Sequence, residues 1–303
     1  MQQSIKGNIL GIFAILLWST LASTTVLAGK IPPFELVSMS FFIAFLIGLV
    51  LWKKEGSGVF IHLKLPLKNW IVGITGLFGY HFFYFLALQN APALEANLIN
   101  YLWPLFIVLF SAILPGVKLR WFHVVGVLFG LFGVIVLVGA GKGFDFNMEY
   151  AKGYFYAFLC ALSWSSYSVL SKYFGKVPVS SVGAFCGATA ILALVCHLLF
   201  EPTVIPSFKN LLAIIVLGLG PVGGAFFLWD YGVKKGDIQM LGTFSYATPL
   251  LSTILLVVFG LAKPNSYIWI ACLFIVLGSI IASYPLFKSL IYNLSVGFPK
   301  KNP

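Results

Sequence analysis

Residues 6–33 read KGNILGIFAILLWSTLASTTVLAGKIPP, and residues 152–179 read KGYFYAFLCALSWSSYSVLSKYFGKVPV. The two stretches repeat each other at an offset of 146, with identical pairs at Lys6/Lys152, Gly7/Gly153, Leu16/Leu162, Trp18/Trp164, Ser19/Ser165, Gly29/Gly175, Lys30/Lys176 and Pro32/Pro178. Further along, Tyr101/Tyr246, Pro104/Pro249 and Gly133/Gly278 match at an offset of 145. Two similar hydrophobic halves are the usual construction of a membrane transporter.

The composition predicts an integral membrane protein. Of 303 residues, 60% are hydrophobic and 9% are charged, and the mean hydropathy is +1.00. Soluble domains carry about 25% charged residues. The net charge of +11 does not indicate a nucleic-acid partner, because the basic residues are spread over the connections between apolar runs. The cysteines lie inside apolar runs without CxxC spacing, so we expect neither a disulfide nor a metal site.

A spanning helix needs about 20 mostly apolar residues, since its backbone must satisfy its own hydrogen bonds in lipid. Apolar periodicity predicts ten such helices. They cover roughly residues 8–28, 34–52, 69–88, 94–114, 119–139, 153–173, 180–200, 210–231, 240–260 and 266–285. The first run has a repeat partner in mid-chain, which indicates a retained helix and not a cleaved signal peptide.

The distribution of Lys and Arg predicts the orientation through the positive-inside rule. Fourteen of the 19 basic residues fall on one side: Lys6, Lys53, Lys54, Lys64, Lys68, Lys118, Arg120, Lys172, Lys176, Lys234, Lys235, Lys288, Lys300 and Lys301. The other side has Lys30, Lys142, Lys152, Lys209 and Lys263. We therefore expect both termini to be cytoplasmic.

The predicted helix count makes the repeat an inverted one. Five helices in residues 1–145 and five in residues 146–303, followed by a short cytoplasmic tail, require the second copy to enter the membrane from the opposite side. Inverted repeats place the substrate site near the midplane and allow alternating access. The fold class is thus predicted as all-α, with ten transmembrane helices in a five-plus-five inverted repeat.

Polar and aromatic side chains in the middle of apolar helices are the candidate site residues, because they are costly in lipid. Asn97, Asn100, Tyr101 and Pro104 share one helical face. Tyr80, His81 and Tyr84 lie on the preceding helix, and Trp18, Trp164, Tyr167, Ser168, Ser171, Thr243 and Tyr246 lie on others.

Each of these candidates has a structural alternative. His81 is interpreted as a hydrogen-bond donor to the substrate, as a proton carrier or as a packed residue. Asn97 and Asn100 either bind the substrate or only bridge helices. Trp18 and Trp164 line a cavity or only pack.

Pro104 and Pro249 are predicted hinges. Each lacks an N–H and so cannot bond the carbonyl four residues earlier, on Asn100 and Ser245. A carbonyl released in this way would accept from a substrate ammonium, unless a neighbouring helix satisfies it.

Several other residues have plain structural interpretations. Gly126, Gly130 and Gly133 form a small-residue packing face. Glu95 sits at a helix N-terminus, where the helix dipole favours it. Asp230 lies four residues before Lys234, which predicts an intrahelical ion pair. The sequence leaves the functional role of both acids open.

The enzyme motifs HExxH and GxSxG and the phosphate-binding P-loop pattern GxxxxGK[ST] are absent from the sequence. We therefore expect no catalytic activity and no cofactor.

Two stretches carry a family resemblance: LALQNAPALEANLINYLWPLFIVLFSAILPG (86–116) and LWDYGVKKGDIQMLGTFSYATPLLSTILL (228–256). With the five-plus-five repeat, the chain resembles the EamA type of the drug/metabolite transporter superfamily, and these stretches resemble its bacterial aromatic amino acid exporters. The resemblance implies an inner-membrane exporter with an aromatic and amide-lined cavity and no ATP hydrolysis. It implies substrate contacts at His81, Tyr84, Asn97, Asn100, Tyr101, Trp103, Trp164 and Tyr246.

The leading hypothesis is export of aromatic and other large neutral amino acids, facilitative and by alternating access. One alternative is efflux of lipophilic cations, with Glu95 or Asp230 as counter-charge. Another is a channel or a non-transporting scaffold. Substrate range, proton coupling, oligomeric state and resting conformation do not follow from the sequence.

Overall fold

The computed structural model describes residues 2–56, 58–139, 144, 146–261, 263 and 266–284, and the regular structure of these residues is entirely helical. Lys142 and the predicted cytoplasmic tail with Lys288, Lys300 and Lys301 lie outside the described residues.

The α-helices follow one another with short connections. In chain order they are α1 Gln2–Ser19, α2 Leu21–Ala28, α3 Pro33–Lys54, α4 Val59–Leu63, α5 Leu67–Ile74, α6 Tyr80–Asn90, α7 Ala93–Asn100, α8 Trp103–Phe110, α9 Trp121–Gly139, α10 Ala151–Tyr173, α11 Val182–Phe200, α12 Phe208–Leu219, α13 Ala225–Lys235, α14 Ile238–Phe244, α15 Ala247–Val258 and α16 Tyr267–Ala282.

Eight segments of the described chain are long and apolar enough to cross a membrane: Gln3–Ala28, Pro33–Lys54, Leu67–Asn90, Ala93–Ile113, Trp121–Gly139, Val179–Phe200, Phe208–Lys235 and Ile238–Val258. Two of the ten predicted spans are outside this group. One corresponds to α10, which has 23 residues and several buried serines. The other corresponds to α16, a mostly apolar helix of 16 residues that extends about 24 Å, less than the ~30 Å hydrocarbon core.

Two pairs of helix irregularities recur in the two halves, the first at the repeat offset of 145 and the second at an offset one residue shorter. Single π-helical turns at Thr75–Gly79 and Gly220–Gly224 join α5 to α6 and α12 to α13. Two-residue turns at 101–102 and 245–246 separate α7 from α8 and α14 from α15. In the second pair, Pro104 and Pro249 follow the turns, where a missing N–H interrupts the helical ladder.

Helix packing brings sequence-distant elements together: α3 lies against α11, α9 against α16, α1 against α13, and α6 against α10. Glycines allow the closest approaches. A Cβ added to Gly48 would lie 2.6 Å from the Cα of Gly183, and one added to Gly126 would lie 2.6 Å from the carbonyl oxygen of Gly278. Gly126 thus has the packing role that its small-residue face predicted.

Candidate functional site

Four tryptophans from four helices form one cluster in the interior. Trp18 (α1), Trp103 (α8), Trp164 (α10) and Trp229 (α13) contact each other in every pair, with ring centroids between 5.1 and 6.5 Å apart. Three of them are nearly inaccessible, and Trp18 is partly exposed. We call these four residues the tryptophan cluster. Its offset and edge-to-face contacts are the geometries that aromatic quadrupoles favour.

Further rings extend the tryptophan cluster toward α3 and α6. Phe226 contacts Trp164 at 5.4 Å and stacks on Phe41 at 5.4 Å. Tyr80 contacts Trp164 at 6.1 Å. Because Tyr80 is also hydrogen-bonded to α7, it joins the aromatic cluster to a group of polar side chains.

This polar group consists of Tyr80, Tyr84, Asn97 and Asn100, on α6 and α7. The Tyr84 hydroxyl donates to Asn97 Oδ1 at 2.8 Å, and Asn97 Nδ2 donates to the Ala93 carbonyl at 2.8 Å. Asn100 Nδ2 donates to the Tyr80 hydroxyl oxygen at 3.1 Å. The two tyrosine rings stack with centroids 6.2 Å apart. The side-chain bonds therefore fix α7 against α6.

Asn100 differs from Asn97 in having an unused acceptor. Its side chain is 4% exposed, and within the described part of the chain no donor reaches Oδ1. A buried amide oxygen without a partner costs roughly 1–3 kcal/mol. Tyr80 complements it, since its hydroxyl accepts from Asn100 and still has its own proton to donate. An acceptor and a donor thus lie side by side.

His81 is held by its own helix and by aromatic neighbours. Its Nδ1 lies 2.7 Å from the Leu77 carbonyl, and its ring meets Phe41 edge-to-face at 5.2 Å. A carbonyl only accepts, so Nδ1 carries the proton and Nε2 of the neutral ring is an acceptor. This tautomer leaves Nε2 as an acceptor, which suits a substrate ammonium group and not the role of hydrogen-bond donor that the sequence offered.

Tyr101 and Tyr246 lie apart from the tryptophan cluster. Tyr246 is fully buried in a second hydrophobic cluster with Val108, Val127 and Ile275, and the partly buried Tyr101 packs against that cluster. A Cβ added to Gly130 would lie 2.4 Å from the Tyr246 ring. Tyr246 thus packs around the helix breaks, whereas Tyr101 also lies near Tyr80 and Tyr84. The substrate contacts predicted for both residues stay predictions.

The carbonyls predicted to be released by proline have different environments. Ser245 accepts from the Thr248 N–H at 3.0 Å, so the predicted free carbonyl at this position is wrong: the local turn supplies a donor. Pro104 has no N–H to donate to Asn100. The break between α7 and α8 directly follows Asn100, so it lies next to the polar group described above.

Asp230 forms the ion pair predicted from its spacing. It is 1% exposed. Its Oδ2 lies 2.6 Å from Lys234 Nζ, and its Oδ1 accepts from Ser171 and from the Tyr167 hydroxyl. Lys234 also donates to the Val177 carbonyl at 2.9 Å. This network ties α13 to α10.

Glu95 is in the first turn of α7, as its dipole interpretation requires. It is 6% exposed, and no donor from the described residues reaches its Oε2.

Trp229 and Phe41 are members of the aromatic site that the sequence interpretation did not single out. The repeat could have indicated Trp229, because it lies 145 residues after Tyr84. This offset relates the two copies, so Trp229 is the equivalent of a residue that was already a candidate. Phe41 has no such signal, since a phenylalanine within an apolar run is indistinguishable from a lipid-facing one.

The apolar helices, with aromatic and polar side chains gathered in their interior, define a multi-pass membrane protein. Comparison with known families then shows that the chain belongs to the EamA-like transporter family, whose profile matches residues 5–139 and 151–284.

Similar proteins cover nearly the whole chain. The aromatic amino acid exporter YddG of Ancylobacter novellus is 52% identical over 279 residues, which cover 92% of this chain and 97% of the relative. The exporters of the same name from Escherichia coli and Salmonella typhimurium are each 27% identical, and they cover 91% and 92% of this chain and 96% and 97% of themselves. A crystal structure with 51% sequence identity superposes with a TM-score of 0.87, covering 91% of this chain and 98% of the other.

Proposed function

We propose that this protein exports aromatic and other large neutral amino acids across the bacterial inner membrane. The observation that carries the proposal is the contact between the tryptophan cluster and the Tyr80/Asn100 pair. Aromatic rings suit an aromatic side chain, and adjacent hydrogen-bond donors and acceptors suit a zwitterion. The names of the relatives support the same substrate class.

We assign a polar group of the site to each of the two charged groups of the substrate, the ammonium and the carboxylate. Asn100 Oδ1 and His81 Nε2 accept from the ammonium, and the Tyr80 hydroxyl donates to the carboxylate. The substrate ring stacks against Trp164 and Trp103. Tyr84 and Asn97 position these groups, because their mutual hydrogen bond fixes α6 relative to α7.

We further propose ten spanning helices in two inverted copies, residues 1–145 and 146–303, with both termini cytoplasmic. Separate family matches to each part support this division, as do the recurring π turns and helix breaks. The reciprocal packing of α1 on α13 and of α6 on α10 also supports it. In this proposal Pro104 and Pro249 are the hinges of an alternating-access motion, and no step requires a catalytic residue, metal or cofactor.

Flux from proteoliposomes tests the proposed function. Preloaded Phe, Trp, Leu and Met are expected to leave with saturable kinetics, whereas Lys, Glu and a lipophilic cation are retained. External substrate should accelerate efflux, and an imposed pH gradient should not drive it. Flux that never saturates would indicate a channel. A protein that moves none of the neutral amino acids is not the proposed exporter.

Asn100→Leu is expected to weaken Phe binding about tenfold, because it removes the free acceptor and the bond to Tyr80. Asn97→Leu is the matched comparison. We expect it to have the smaller effect, since Asn97 already bonds Tyr84 and Ala93. Equilibrium binding of labelled Phe to the purified variants gives both values. A larger loss in the Asn97 variant would contradict the assignment.

A further inference from the structure

An apolar groove of about 560 Å³ lies between α3 and α11, away from the tryptophan cluster. Its floor is made of small residues of α11, and its walls include Phe42, Ile191 and Leu194. These three side chains are 54%, 66% and 45% exposed. Since α3 and α11 are both long and apolar enough to span a membrane, the groove opens toward lipid.

The dimensions of the groove match one leaflet of a bilayer. Along α11 it extends from Ala184 to Leu194, ten residues or about 15 Å at the helical rise. That length is half of the ~30 Å hydrocarbon core. Leu63 of α4 and Trp70 of α5 also line the groove, and the Trp70 indole N–H donates to the Leu63 carbonyl at 3.3 Å.

Exposed cations adjoin Leu63 and Trp70 in the sequence. Lys64 directly follows Leu63, and Lys68 is two residues before Trp70; both lysines are exposed. The Lys68 ammonium lies 4.7 Å from the centroid of the Phe174 ring. Lys53 and Lys54 end α3 on the same connection, and its acid, Glu55, already accepts from Ser180 at 2.9 Å.

We propose that this groove binds the acyl chain of an anionic phospholipid, whose phosphate is held by Lys64 and Lys68. The apolar groove has the length of one leaflet and so fits a lipid acyl chain. The lysines next to it would lie at the level of the headgroup, where they fit its negative charge. Because α3 and α11 belong to different halves of the sequence, a bound lipid would contact both. These contacts hold whichever membrane face is cytoplasmic, and they do not depend on the exported substrate.

Native mass spectrometry of the purified full chain tests the site with phosphatidylglycerol and phosphatidylcholine of identical acyl chains. We expect tighter binding of phosphatidylglycerol. The double change Lys64→Ala and Lys68→Ala should weaken phosphatidylglycerol binding roughly 25-fold, about fivefold per lysine. It should weaken phosphatidylcholine binding much less, because the choline cation offsets the charge of that lipid's phosphate. Both lysines are exposed, so we expect this variant to fold although it loses the contact of Lys68 with Phe174. The control, Lys118→Ala with Arg120→Ala, removes two other exposed cations and should have no effect.

A second variant examines the apolar part of the groove. Ala188 is on its lining, so Ala188→Phe should fill it and weaken both lipids equally. Undiminished preference for phosphatidylglycerol in the lysine variant would overturn the headgroup assignment. Undiminished lipid binding in the Ala188→Phe variant would overturn the acyl-chain assignment. Displacement of the lipid by free phenylalanine would also overturn it, because the groove would then be part of the substrate path.

Discussion

Trp164→Ala is expected to reduce amino acid flux to the background of empty liposomes. Trp164 contacts the three other rings of the tryptophan cluster, and it also contacts Tyr80 and Phe226. The truncation removes a proposed substrate-stacking surface and leaves a cavity between four helices. Lipid is as apolar as a protein core, so the stability cost arises from lost packing and not from hydration. Large-to-small changes of Trp cost about 3–5 kcal/mol in soluble cores.

Two comparisons separate transport from folding. Trp164→Phe retains an aromatic ring and should retain measurable flux. Trp269→Ala removes an indole that is 79% exposed on α16, and we expect wild-type flux and stability. Flux of the Trp164→Ala variant should be measured at matched incorporated protein. Wild-type flux in that variant would remove the tryptophan cluster from the transport mechanism.

Asp230→Asn is expected to lower the melting temperature by roughly 10 °C. The change preserves the shape of the side chain but leaves the Lys234 ammonium without its anion. The two side chains are 2% and 5% exposed, and removing one partner of a buried pair costs about 3–5 kcal/mol. Thermal unfolding in detergent, followed by circular dichroism, measures the effect.

Removing Lys234, the other partner of the ion pair, provides the critical comparison for the Asp230→Asn prediction. The double variant Asp230→Asn with Lys234→Met should recover much of the lost stability, because no unpaired charge remains. Lys235→Gln changes the adjacent, exposed lysine and should leave the melting temperature unchanged. A single Asp230 variant as stable as the wild type would show that the ion pair contributes nothing to holding α13 on α10.

Sequence patterns predicted the helical class, the Asp230–Lys234 pair and the packing glycine Gly126. All three depend on local spacing, which the helical repeat of 3.6 residues converts directly into position. The resemblance to a transporter family was likewise confirmed, since it rests on motifs that span both halves. The count of ten spans is unconfirmed, because serines lower the hydropathy of one helix and another is short.

The arrangement of the candidate site depends on contacts that sequence spacing does not encode. Asn97 and Asn100 look equivalent in the sequence, yet only Asn100 keeps an unpartnered oxygen, because Tyr84 lies opposite Asn97. Tyr246 matched Tyr101 across the repeat and was expected to contact substrate. The structure packs its ring against Gly130, a partner on another helix that no local pattern indicates, and its substrate contact stays a prediction.

Four indole rings in mutual contact have a consequence for the energy supply of the cell. A hydrated sodium ion or proton that followed an amino acid past the tryptophan cluster would have to shed its water against apolar faces, at a cost of several kcal/mol. A neutral amino acid is a zwitterion without net charge, so its movement does no work against the membrane potential. Under the proposed facilitative mechanism, a cell can therefore hold many copies of this protein in its membrane without dissipating the potential that drives ATP synthesis.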